Sequence, residues 1–197
     1  MISSCSTHTN LALSLGIKDW DHVLSSAYRA LKPGGWLEFC EFDYWPNSDD
    51  GTMTDDNGHL IWTHRVTEGL AAVGIDLHAA LRLKSRIEQA GYQNVSEHVI
   101  KVPIGQWPRN QLLKKVGMYM HAVLWDGLQG MSTHRRVLIL LHLSNHLCIG
   151  IAMGPLTRGL GWSPQEVELL LPSVRKDLND LSIHTYYSLH IVIGQKI

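Results

Sequence analysis

Long uninterrupted hydrophobic runs, paired cysteines and an excess of one charge sign are all missing from this 197-residue chain. The longest apolar stretch, Val137 to Gly154, is broken near its centre by His142, Asn145 and His146, polar groups that a bilayer core disfavours. Cys5, Cys40 and Cys148 form no C-x-x-C pair and are too few for a disulfide framework, which points to free thiols in a reducing compartment. A formal charge of −1, with its signs dispersed, leaves no basic footprint for nucleic acid. The N-terminus has neither the basic start nor the continuous apolar core of a signal peptide. The expectation is an intracellular protein, cytoplasmic or nuclear, with neither membrane nor nucleic acid as a partner.

Several chemistries lose their anchor for want of a pattern. His142 and His146 would share a helix face, but no Glu follows His142 in the H-E-x-x-H manner and no third ligand is evident, so no metal is expected. Asp49, Asp50, Asp55 and Asp56 miss the spacing of a calcium loop and read as a solvated segment. No G-x-S-x-G elbow supports a serine nucleophile. Gly159-Leu160-Gly161 follows Thr157-Arg158 rather than a strand, and reads as a turn before a capped helix.

What is present is an alternation of helical and strand-like segments. Asp19 or Asp21 can cap a helix from Trp20 to Leu31, whose inner face carries Val23, Leu24, Ala27 and Ala30. A strand ending near Phe42 follows, then a turn-rich stretch from Pro46 to Gly58. Helices are expected at about 60–73 and 77–90, the second stopped by Gly91. Val95 to Val102 alternates as a half-buried strand, and Pro108 fits the first turn of a helix over about 110–128. Ser163-Pro164-x-Glu166 is an N-cap signature opening a helix through about Leu181. The last strand, 184–194, is nearly continuous in apolar and aromatic residues, as a central strand should be.

Leu31-Lys32-Pro33-Gly34-Gly35-Trp36-Leu37-Glu38 joins the first helix to the first long strand. Pro33 disfavours helical geometry at Lys32, and the glycines supply the freedom that a tight reversal needs. Downstream, in order, come Ser48-Asp49-Asp50-Gly51-Thr52, Val102-Pro103-Ile104-Gly105-Gln106-Trp107-Pro108, Leu160-Gly161-Trp162-Ser163-Pro164 and the stretch from Ser182-Ile183-His184 through Gly194-Gln195-Lys196; Ile17-Lys18-Asp19-Trp20 precedes them. Together these resemble the C-terminal two-thirds of class I S-adenosylmethionine-dependent methyltransferases, in the fungal subfamily of LaeA-like regulators and secondary-metabolite-cluster methyltransferases.

The resemblance implies an α/β, Rossmann-like class I methyltransferase sheet that is incomplete here, with the N-terminal strands and the cofactor loop missing. Residues 1–197 would be the C-terminal part of a single methyltransferase domain, with the last strand antiparallel between its neighbours. The implied cofactor is S-adenosylmethionine, and the implied partners are a small-molecule or protein methyl acceptor and a regulatory protein. Asp19 and Trp20 fall where the family borders the cofactor; the residues by themselves read as a helix cap and a packed ring. Glu41 follows the strand on the active-site rim and reads either as a group that orients or deprotonates the acceptor, or as a solvated strand-end carboxylate. Asp43 lies on the same rim. Tyr44 and Trp45 would suit a planar acceptor, or loop packing next to Pro46. An addition at about 133–152 departs from the family pattern, either as an extra helix or as translated intron sequence.

Overall fold

The Lys32-Pro33-Gly34-Gly35 turn organises the start of the chain. Helix α1 (Trp20–Ala30) is capped by Asp19, whose side chain accepts from the His22 N–H, and it ends as Leu31 turns extended. Gly34 then takes φ +80°, a region that any side chain would strain, and β2 (Trp36–Asn47) begins. The turn is also a pairing site. The Gly34 N–H donates to the Lys196 carbonyl at 2.6 Å, and the Lys196 N–H to the Gly35 carbonyl at 2.9 Å.

This computed structural model describes residues 7–8, 17–132 and 154–197. After β2 come α2 (Gly58–Ala72), a short 3-10 turn (Ala79–Arg82), α3 (Leu83–Gln89), β3 (Gln93–Pro103) and α4 (Gln111–Ser132). A π-helical turn (Gly154–Gly159), α5 (Pro164–Asn179) and β4 (Tyr186–Gln195) complete the order, and a short β1 (Thr7–His8) precedes α1. The architecture is mixed α/β. Strand order is β1-β2-β4-β3, with β1 parallel to β2 and Thr7 opposite Leu37. The end of β4 meets the start of β2, and the Thr185 carbonyl before β4 accepts from Ile104 after β3, so β4 lies antiparallel between its neighbours. That placement matches the one implied by the resemblance.

Several boundaries differ from the sequence reading. β2 does not stop near Phe42 but continues to Asn47, so Glu41, Asp43, Tyr44 and Trp45 are strand residues. The 77–90 helix divides into a 3-10 turn and the short α3. Pro108 precedes α4 rather than lying in its first turn; Asn110 caps that helix by accepting from the Leu112 and Leu113 N–H groups. β3 is mostly exposed, Val99 and Ile100 included, as suits a strand at the edge. The segment 133–152, His142, His146, Cys5 and Cys148 lie outside the described residues.

The chain divides into two compact units, one drawn from Met1–Asp43, Ile75–Ile100 and Ser188–Ile197, the other from Tyr44–Gly74 and Lys101–Tyr187. In the first unit, Leu24, Leu37, Phe39, Leu83, Ile87, Tyr92 and Val192 are buried in one apolar cluster with Trp20. Each such side chain contributes about 1.5–3 kcal/mol by leaving water. In the second, α2 and α5 pack together, and α5 opens with a full capping box between Ser163 and Glu166.

Candidate functional site

In the first unit the buried face of β2 changes character partway along. Alternation turns Leu37, Phe39, Glu41 and Asp43 inward. Leu37 and Phe39 join the apolar cluster, while Glu41 is 1% exposed and Asp43 6%. The reading of Glu41 as a solvated strand-end carboxylate is therefore wrong; because the strand continues, the carboxylate stays on its inner face. Burying a carboxylate costs several kcal/mol unless its surroundings answer the charge. At Asp43 they do, since Oδ1 lies 2.9 Å from His78 Nδ1. His78 is itself fixed by its backbone N–H, which donates to Asp76 at 3.0 Å.

A second imidazole–carboxylate pair lies on the neighbouring strands of this unit. His190 on β4 places Nδ1 2.8 Å from Glu97 Oε1 on β3. Sequence reasoning missed His78, Glu97 and His190. A histidine two residues before Val192, inside an otherwise apolar central strand, was the available signal for His190. His78 offered none, since its role depends on a side chain 35 positions away in the sequence.

Asp19 and Trp20 are both engaged by α1 itself. Asp19 Oδ1 accepts from the His22 N–H at 2.8 Å, and Trp20 is 6% exposed, edge-on to Phe39 with the Arg86 guanidinium 5.4 Å above its ring. Cys40 carries a free thiol, pushed up by burial and then by Glu38 and Glu41, so it is held protonated rather than poised as a nucleophile. Tyr44 and Trp45 belong to the second unit. The Tyr44 ring stands edge-on to Tyr187 at 5.6 Å, and that of Trp45 to His64 at 6.0 Å.

The second unit holds its own polar groups. Lys101 and Tyr186 both donate to Asp49 and hold its carboxyl below the usual range; His184 and then Thr52 do the same for Asp50. These aspartates pin the 48–52 loop beside His184, which stacks on Trp107 at 4.8 Å. His59 is 2% exposed, with Nε2 2.7 Å from the Tyr187 hydroxyl, and burial pulls it down to about 4. Among the described residues no group of three or more His, Cys, Asp or Glu side chains is arranged to hold a metal ion. Nor is any helix there long and apolar enough to cross a membrane.

The described residues do not fit a sulfonium cofactor. Gly159-Leu160-Gly161 leads from the π-helical turn into the cap of α5, not from a strand, and the Gly159 backbone is pressed against that of Gly69 on α2. With Asp19 engaged as a cap, no strand–glycine loop–helix cradle with a ribose-binding carboxylate is present among them.

No protein-family model matches the chain. It is similar to fungal methyltransferases and regulators of secondary metabolism. A methyltransferase named pytC from Aspergillus terreus is 27% identical over 91% of this chain and 49% of its own length. The secondary metabolism regulator LAE1 of Cochliobolus heterostrophus is 26% identical over 89% of this chain and 51% of its own. A protein-methionine methyltransferase named laeA from Chaetomium globosum is 25% identical over 83% and 46%. The chain thus spans about half the length of the curated relatives it matches. The resemblance read from its motifs holds as a likeness to a portion of LaeA-like methyltransferases.

Proposed function

We propose that this chain forms the acceptor side of a Rossmann-like, class I S-adenosylmethionine-dependent methyltransferase domain acting in fungal secondary metabolism, on a small-molecule or protein acceptor. Residues 1–197 would be the C-terminal part of that domain. The observation that carries the reading is the turn of the inner β2 face from Leu37 and Phe39 to the buried carboxylates Glu41 and Asp43. It lies in a chain similar to methyltransferases over 91% of its length. Ligands of doubly wound sheets gather at the carboxyl ends of the strands, and Glu41 and Asp43 lie on the carboxyl side of the apolar residues of β2.

Bound S-adenosylmethionine would supply an electrophilic methyl group; the described residues act on the acceptor alone. Glu41 orients an acceptor hydroxyl or amine, or takes up its proton. Asp43 and His78 hold the neighbouring polar layer in place. Asp19 and Trp20 act through the helix they anchor.

Gene replacement in the organism that carries the gene tests this. A deletion strain should accumulate a metabolite lighter by one methylene. A Glu41→Gln allele, which keeps shape and removes charge, should reproduce that accumulation with a methylation rate lower by about 10²-fold or more at normal protein level. Parent-like methylation from that allele removes Glu41 from the site. Loss of whole families of metabolites points instead to a regulatory role through a protein partner, and an unchanged profile in the deletion strain overturns the function.

A further inference from the structure

Helix α4 lies wholly within the second unit, and the described residues cover only one of its faces. On the inner face Gly117 and Leu128 are buried, and His121 Nε2 lies 3.1 Å from Asn179 Oδ1 on α5. On the opposite face the helical repeat brings Leu112, Val116, Tyr119 and Val123 into one line. A solvated helix face is ordinarily polar. Here Leu112 is 70% exposed, Tyr119 66% and Val123 50%, with Val116 half-buried among them. The same spacing carries the line to a charge at each end, Arg109 just before the Asn110 cap and Asp126 on the helix. Both are exposed, and neither has an ion-pair partner among the described residues.

The line from Arg109 to Asp126 is its own complement when reversed. Laid antiparallel against a second α4, about a two-fold axis between Val116 and Tyr119, it sets Leu112 opposite Val123 and Val116 opposite Tyr119. Arg109 then falls opposite Asp126 at both ends. We propose that this face of α4 docks on the same face of a second copy of the chain, with the two helices antiparallel. A parallel pairing in register sets Arg109 against Arg109 and Asp126 against Asp126, like-charge contacts that the antiparallel one avoids. Antiparallel pairing also brings the exposed Lys115, near the positive N-terminal end of α4, towards the negative C-terminal end of its neighbour. An apolar centre with a charged rim is the make-up of an interface between separately folded chains. A single helix pair lies at the small end of such interfaces, so the expected dissociation constant is about 1–100 μM.

Sedimentation of the full chain over about 1–200 μM tests the pairing. The parent should pass from monomer to dimer across that range. Tyr119→Lys puts a charge at the apolar centre and should stay monomeric throughout, with the parent's urea midpoint. Arg109→Asp or Asp126→Arg alone sets like charges together at both ends and should raise the dissociation constant about 10-fold or more. Mixed, those two variants should pair with each other to within about threefold of the parent, because every end then joins opposite charges. Rescue between two weakened chains requires that each be the other's partner in this alignment. If Tyr119→Lys fails to fold, the charge-reversed pair decides alone. A dimer that Tyr119→Lys leaves intact, or a mixture no tighter than its components, overturns the proposal. So does a parent that stays monomeric, whether its α4 face is then covered by another part of the same chain or binds lipid vesicles instead.

Discussion

Alanine at Gly117 should cost the chain about 3 kcal/mol or more of folding stability, while alanine at Gly127 on the same helix should add up to about 1 kcal/mol. Both glycines sit within α4, where Ala is the better helix former. What separates them is what a Cβ would meet. At Gly127 nothing lies within 4 Å. At Gly117 the new carbon would overlap the Gly105 carbonyl oxygen, a backbone atom that cannot swing aside, and also crowd Pro103. The hydrogen bond from the Gly105 N–H to the Gly117 carbonyl, 3.0 Å, would have to open as the helix moved away. Overpacking and the lost bond act together. Urea midpoints of the two variants against the parent are the measurement. Equal midpoints at both positions would show that α4 does not seat against the 103–105 segment as described.

Acid should weaken the protein well above the range where carboxylates titrate, and His59 is the reason. Its ring is buried between Trp62 and Tyr187, and burial lowers its pKa from 6.5 to about 4. The unfolded chain therefore binds a proton between those two values that the folded chain refuses. Stability contributed by neutral His59 is complete above about pH 6.5. It is lost progressively as the pH falls, by about 3 kcal/mol in all, and the loss levels off below about 4. Asp49 and Asp50, held below the usual carboxylate range by Lys101 and His184, add their own loss only below about pH 4. Denaturant unfolding at successive pH values checks this. The parent should show the slope between about 6.5 and 4, and His59→Gln, which keeps a polar partner for Tyr187 but does not titrate, should lose most of it. A parent curve flat over that window, or an unchanged slope in the variant, would count against a buried neutral histidine.

How much was legible in the sequence varies with the reach of the interaction. The α1 cap (Asp19 of the two aspartates the sequence offered), the Pro33–Gly34 reversal and the N-cap at Ser163 are local, because each joins groups within a few residues. The antiparallel seat of β4 between β2 and β3 was available only through the resemblance of ordered motifs. The length of β2 was misread. A strand whose inner face passes from Phe39 to Glu41 and Asp43 looks as though it has reached solvent, when the polar residues are in fact enclosed by partners from elsewhere.

By itself, then, the sequence determined the α/β alternation, the turn that starts β2, the caps and the family likeness, since short-range sterics and ordered motifs need no third dimension. Only the tertiary structure decided that Glu41 and Asp43 are buried, that His78 answers Asp43, and that Glu97 orients His190. Those pairings join residues 35 and 93 positions apart. The free energy of burying a charged or imidazole group depends on which distant side chain arrives beside it, and no local pattern encodes that arrival.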